Sequence, residues 1–219
     1  MGLPLSGYTE LTPGALKALG AAELLIAESL RTASTLYKKN GLMLPQTLLL
    51  SEHTRPAEIE PLFAEIQKHR SVLISDAGLP VLADPGSQLI RLCHRRGWPV
   101  AVEAGGTAAT VALSLAGLGN EGYLFLGFLP RENRERKAAI QKIASQTVPV
   151  VLYETPYRLG RVLLDIRETL PGKPLRVFLV TEIGAGMQYV DLALNEIQGQ
   201  SLSGRPVIII YRSGLSERV

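Results

Sequence analysis

The sequence predicts an α/β protein of two lobes, an N-terminal lobe with a mostly parallel sheet and a C-terminal lobe with a mixed sheet. Three observations predict it. Strand-like and helix-like segments alternate up to about residue 119, as a parallel sheet with helices on both faces requires. Three glycines fall within six residues at Gly117, Gly119 and Gly122, which divides the chain into lobes of residues 1–119 and 120–219. Beyond that point the last strand-like segments follow one another with no room for helices, so strands there pair in both senses.

The elements follow in order. Thr12 is a capping residue with Pro13 at the first helical position, and Gly20 ends that helix. Residues 24–27 read as a strand and 30–39 as a helix closed by Asn40-Gly41. A strand at 47–50, a helix at 56–70 and a strand at 72–75 come next. Asp84, as N-cap with Pro85 behind it, opens a helix that runs to Arg96 and is stopped by Gly97. Residues 99–103 read as a strand, and Thr107 caps a helix to Ala116. In the second lobe, strands are expected at 123–127, 148–153, 175–181, 188–197 and 206–212, with helices at 133–144 and 158–170.

Composition excludes several classes. The chain has 219 residues, 46% of them hydrophobic, enough to bury a full core. Net charge is only +3, so any affinity for nucleic acid must come from a local patch. Cys93 is the single cysteine, which excludes a disulfide framework or a thiolate metal site and fits a reducing compartment. His53, His69 and His94 have no ligand spacing, and no metal site is expected. The first residues have neither a basic nor an apolar signal region, and no apolar run approaches the ~18 residues of a membrane helix. A cytoplasmic protein is the expectation.

The segment Val72-Leu-Ile-Ser-Asp-Ala-Gly-Leu-Pro-Val-Leu-Ala-Asp-Pro-Gly86 carries most of the functional information. A buried strand that stops at a glycine turn and leads into the positive end of a helix is how α/β folds present backbone groups to a ligand. An ordinary strand-to-helix turn with a routine cap accounts equally well for Asp84-Pro85 alone.

Five segments in register resemble the ribosomal RNA small-subunit methyltransferase I branch of the tetrapyrrole methylases. They are Ser75-Asp-Ala-Gly-Leu-Pro-Val-Leu-Ala-Asp-Pro-Gly86, Gly105-Gly106-Thr107-Ala108-Ala109, Gly127-Phe-Leu-Pro130, Tyr153-Glu-Thr-Pro-Tyr-Arg158 and Thr181-Glu182. The resemblance implies a two-lobed fold with S-adenosylmethionine bound in a cleft between the lobes, and a homodimer. It implies cofactor contacts at Asp76, Ala77, Gly78, Leu79, Pro80, Leu82, Asp84, Gly86, Gly105, Gly106, Thr107, Ala108, Tyr153, Thr181 and Pro206. Two departures stand out: Gly106 replaces the usual proline, and Thr181 the usual arginine. The strand with which such proteins begin looks absent, since Met1 to Gly7 resembles only the tail of the turn that follows it.

The residues themselves suit that cofactor. The helix start at Asp84-Pro85-Gly86 offers free N–H groups for a carboxylate, and Gly78 lets backbone approach closely. Asp76 accepts from amino or hydroxyl groups, while Leu79, Val81 and Leu82 line apolar parts. Methyl transfer is an in-line displacement in which positioning provides much of the rate. A ribose hydroxyl acceptor must also lose a proton, for which Glu154, Glu182 and Asp76 are candidates, with Arg158 or Arg31 orienting a phosphate. No single base stands out, because Glu154 and Arg158 also read as a surface i,i+4 ion pair.

Residues 131–142 carry five basic and two acidic side chains, a net +3 equal to the excess of the whole chain. Arg131, Arg134, Arg136 and Lys137 are the candidate phosphate contacts, on a helix expected to turn Ala138, Ile140 and Ile143 inward. The resemblance implies ribose 2′-O-methylation of a cytidine in small-subunit ribosomal RNA. Methylation of a small molecule such as a tetrapyrrole, and cofactor binding without catalysis, remain open alternatives.

Overall fold

The computed structural model describes residues 1–120, 122–184, 186–198 and 204–214. It divides into two compact units, Met1–Thr107 and Ala108–Val219.

The first unit contains α1 (Pro13–Gly20), β1 (Leu24–Ala27), α2 (Leu30–Lys39), β2 (Gln46–Leu49), α3 (Pro56–Ile66), β3 (Ser71–Ile74) and α4 (Ser87–Arg95). Its sheet is parallel, in the order β2-β1-β3. All four residues of β1 are buried, as a central strand covered on both faces must be. Alternation along β1 sends Leu24 and Ile26 to the face covered by α3 and α4. Leu25 and Ala27 face Leu19 of α1 and Ala33, Leu36 and Tyr37 of α2. Capping fixes where the first two helices start: Thr12 Oγ1 accepts from Ala15 N at 3.1 Å and Ser29 Oγ from Thr32 N at 3.2 Å.

Two expectations fail here. Asp84 and Pro85 do not open α4, which starts at Ser87 behind Gly86 at φ 123°. Their place is a loop with left-handed residues on either side, which no continuous helix can include. Residues 99–103 form no strand, because a strand needs a ladder partner and they pair with no strand of the sheet.

The second unit contains α5 (Ala108–Ala116), β4 (Leu124–Phe128), α6 (Asn133–Ile143), β5 (Val150–Tyr153), α7 (Pro156–Thr169), β6 (Leu175–Thr181), β7 (Gln188–Ala193) and β8 (Val207–Arg212). The sheet order is β4-β5-β8-β6-β7, with β4 and β5 parallel and the other pairs antiparallel. One face carries Leu152, Val177, Leu179, Ile208 and Ile210 against α6 and α7. The other carries Val151, Phe178, Val180, Val207 and Ile209 against Ala109, Ala112 and Leu113 of α5. That contact assigns α5 to the second unit, so the division falls after Thr107 rather than at the glycines of 117–122. The strand expected over 188–197 ends at Ala193, where the Glu196 carboxylate accepts from Ala193 N at 2.7 Å and closes a 3₁₀ turn over Leu194–Glu196.

Candidate functional site

In a parallel sheet the strand ends at which the helices begin are the natural ligand edge. At that edge of the first unit stand Glu28 and Ser29 after β1, and Asp76 after β3. Ser29 Oγ donates to Asp76 Oδ1 at 3.0 Å, and Asp76 N donates to Glu28 Oε2 at 3.4 Å. Burial, and secondarily the Asp76 charge, raise the Glu28 carboxyl above the usual glutamate range. Glu28 belongs to none of the recurring segments, and only its position directly after an apolar strand points to it.

Three backbone segments meet beside this edge. Leu3 N donates to Gly78 O at 2.8 Å. A Cβ on Gly78, at φ 70°, would come within 3.3 Å of Leu5 and 3.4 Å of Gly106 O. A Cβ on Gly105 would lie 2.7 Å from Gly2 Cα, so Gly105 answers to this close approach as well as to any ligand. The turns at residues 76–80 and 105–106 thus lie side by side. Among the described residues, the N–H groups of Ala77, Gly78 and Gly106 donate to no protein acceptor.

The loop that follows is held in costly geometry. Val81 (φ 78°) and Ala83 (φ 64°) are left-handed although neither is glycine, and Val81 is β-branched. Such residues cost on the order of 1–3 kcal/mol each and persist where surrounding structure enforces them. Leu79 and Pro80 are partly buried, while Val81 and Leu82 are exposed. Gly86 lies against Leu73 and Val81.

The second unit gathers its candidates at one end of its sheet. Tyr153 ends β5, Thr181 ends β6 and Pro206 precedes β8; Tyr153 and Val180 both pair with Val207. Ala109 N, at the start of α5, donates to the Tyr153 hydroxyl at 3.1 Å. Thr181 is fully buried and its Oγ1 finds no partner among the described residues. Glu182 is exposed at φ 50°, and a Cβ at Gly204 would overlap its carboxylate.

Two of the acid–base and phosphate candidates are structural. Glu154 is buried; its Oε1 accepts from Thr155 N at 2.8 Å and its Oε2 pairs with Arg158 at 3.3 Å. Arg158 in turn donates to the carbonyls of Leu129 and Pro130 at 3.0 and 3.3 Å. This pair ties down the Gly127-Phe-Leu-Pro130 segment and is no surface ion pair.

Arg136 is corrected more sharply. It is buried, with Nε donating to Asp165 Oδ2 at 2.8 Å and its remaining nitrogens to Arg131 O at 2.7 Å, Asn133 Oδ1 at 3.0 Å and Pro130 O at 3.4 Å. Its donors are spent inside the protein, so it does not face phosphate. Ala138, expected inward, is exposed. Arg131 and Arg134 are exposed, and Lys137 pairs with Glu168 at 3.3 Å.

The family model for tetrapyrrole (corrin/porphyrin) methylases matches residues 1–196. The chain belongs to the tetrapyrrole methylase family. It is therefore an S-adenosylmethionine-dependent methyltransferase. It is 34% identical over 94% of its length to a protein of Leptospira borgpetersenii serovar Hardjo-bovis named ribosomal RNA small subunit methyltransferase I, 84% of which it covers. A relative of the same name from Coprothermobacter proteolyticus is 28% identical over 97% of this chain and 96% of its own. For the Synechocystis relative, at 32% identity, the chain spans only 60% of the length.

Solved structures of other methylases share the fold at low identity. The methyltransferase CobJ aligns with TM-score 0.71 at 15% identity, over 97% of this chain and 92% of its own. Diphthine synthase aligns at 0.73 and 16%, over 99% and 91%. A Thermus thermophilus uroporphyrin-III C-methyltransferase complexed with S-adenyl homocysteine aligns at 0.62 and 15%, over 95% and 93%.

The first unit fits the methylase cofactor by its own geometry. The free amides of Ala77, Gly78 and Gly106 and the Asp76 carboxylate lie on two adjoining turns, donors and an acceptor of the kind that the polar parts of S-adenosylmethionine would use. Gly86, Ser87 and Gln88 at the start of α4 line a cavity of about 150 Å³ together with Glu52.

Proposed function

We propose that this chain methylates the 2′-hydroxyl of a cytidine ribose in small-subunit ribosomal RNA. The observation that carries the reading is the shared name of its relatives, ribosomal RNA small subunit methyltransferase I, at 28–34% identity. The exposed Arg131 and Arg134, directly after the Gly127-Phe-Leu-Pro130 segment, support it as phosphate contacts.

The cofactor supplies an electrophilic methyl group. Asp76, Ala77, Gly78, Leu79, Pro80, Leu82, Gly105 and Gly106 hold one side of the cofactor, with Asp84 and Gly86 shaping the loop. Thr107, Ala108, Tyr153, Thr181 and Pro206 hold the other. Asp76 or Glu182, the exposed carboxylates at the two strand edges, takes the ribose hydroxyl proton. Glu154 and Arg158 set the position of the loop that bears Arg131. A homodimer and a cytoplasmic site of action belong to the same proposal.

The test is methyl incorporation from labelled cofactor into small ribosomal subunits that lack the modification, with uroporphyrinogen as competing acceptor. We expect a single ribose methyl per particle. Gly78→Val should abolish it and weaken cofactor binding, because a branched side chain at φ 70° displaces Gly106 and Leu5. Incorporation into the tetrapyrrole but not the particle would overturn the acceptor, and cofactor binding without transfer to either would leave a binding protein.

A further inference from the structure

β4 lies at one edge of the second unit's sheet and pairs, in parallel, with β5 alone. Leu124 stands opposite Val150 and Phe125 opposite Val151, but the next pair is Gly127 with Leu152, followed by Phe128 with Tyr153. Leu126 is therefore an extra residue, a β-bulge, and Gly127 beside it takes a left-handed φ of 64°. Bulges are uncommon in parallel pairs, and this one interrupts the ladder of a strand only five residues long.

The bulge decides where Phe128 points. Strict alternation would place it with Leu124, on the face that packs against α6 and α7. One extra residue turns it to the other face, that of Phe125 and Tyr153. There it meets the Tyr153 ring edge to face, with centroids 6.1 Å apart and planes at 72°. Tyr153 is itself fixed, by Phe125 at 4.8 Å and by Ala109 N, which donates to its hydroxyl. An edge-to-face pair covers at most one face of each ring. Phe128 stays 49% exposed, whereas a place on the α6 and α7 face would have taken it out of water.

The charges beside the ring select what it meets. The carbonyls of Leu129 and Pro130 accept from Arg158, and those of Pro130 and Arg131 from Arg136, so the backbone from Phe128 to Arg131 is held at three successive residues. Arg131 and Arg134 on and beyond that stretch are exposed. A free aromatic face next to guanidinium groups suits a strand of bases joined by phosphates: any base offers a flat face to the ring, and each phosphate an anion to an arginine.

We propose that Phe128 stacks on a nucleobase in a single-stranded stretch of the acceptor while Arg131 takes a phosphate beside it. The proposal rests on the RNA reading above and adds to it a contact with a base. The bulge aims the ring, Tyr153 supports it from the side, and the two arginines keep it in register with Arg131.

The experiment measures the affinity of the full chain, across a range of salt, for two single-stranded probes of equal length: oligocytidylate, and the same ribose-phosphate chain without bases. Phe128→Leu should weaken oligocytidylate binding about tenfold, within the range of one base stacked on an aromatic ring. It should leave the salt slope and the binding of the abasic probe unchanged, because no phosphate contact is removed. Phe128→Trp should keep the affinity of the unsubstituted chain. Equal losses on both probes, a changed salt slope, no loss at all, or no binding of oligocytidylate by the unsubstituted chain overturns the proposal. So does a Phe128→Leu chain that sediments differently on its own while binding oligocytidylate as before, which would assign the ring to contact with a second copy. Methyl incorporation into small ribosomal subunits is read separately. If the unsubstituted chain incorporates and Phe128→Leu binds both probes normally, the stack fails and the RNA reading stands; incorporation into a tetrapyrrole alone removes both.

Discussion

Glu28 and Asp76 illustrate how a residue's role depends on what folds beside it. They are far apart in sequence, yet Asp76 N donates to Glu28 Oε2 at 3.4 Å, and burial with the Asp76 charge raises the Glu28 carboxyl. A carboxyl raised in the folded state contributes stability at low pH and loses it as pH rises through its folded-state value. Glu28→Gln should therefore raise Tm at pH 7, with the advantage fading as pH falls from the raised folded-state value to the ordinary glutamate range and absent below it. Thermal melts of both proteins across that range check it; a constant difference would assign the effect to something other than this titration. Arg136 makes a second point. Its spacing to Ile140 and Ile143 marks it as inward-facing, and they are buried together. The basic run around it obscured that signal, and only the buried Asp165 explains why an arginine takes that place.

At the level of elements, apolar runs and caps were the legible features. β1 was readable as a fully apolar strand, α1 through its cap Thr12, and α2 through the Asn40-Gly41 that closes it. The loop after β3 was not. Asp84-Pro85 has the composition of a helix start, but left-handed Val81, Ala83 and Gly86 delay α4 to Ser87. If that strain is maintained for ligand binding, Val81→Gly should relieve it. Glycine returns part of the gain through the freedom of the unfolded chain, leaving a net stabilisation of about 1 kcal/mol. Calorimetric affinity for S-adenosylmethionine should fall at the same time. Stabilisation with unchanged affinity would mean that the loop shape serves packing alone.

For the molecule as a whole, the question is which charges reach an RNA. Of the four basic candidates, Arg131 and Arg134 are exposed and have no ion pair among the described residues, Lys137 is paired with Glu168, and Arg136 is buried. Replacing Arg131 and Arg134 with alanine should flatten the salt dependence of RNA binding by a log–log slope of about 1.4, at roughly 0.7 counterions per single-strand phosphate contact. Cofactor affinity should stay the same. Arg136→Met should instead lower stability, because it leaves the Asp165 carboxylate buried with only Arg161 beside it. An unchanged slope in the Arg131/Arg134 double variant would remove this segment from the RNA interface.

What the sequence determined by itself was what depends on local order: the alternation of apolar strands and capped helices, the glycine turns at 76–80 and 105–106, and the family to which their register belongs. The tertiary structure decided which groups meet. It joined α5 to the second unit through Ala109, Ala112 and Leu113. It sent Glu154 and Arg158 to hold the Leu129 and Pro130 carbonyls, and it left residues 99–103 lining a groove instead of in a ladder. The physical reason is the same in each case. Burial and hydrogen bonding across long sequence separations depend on partners that no local pattern names, and a strand exists only where another backbone lies beside it.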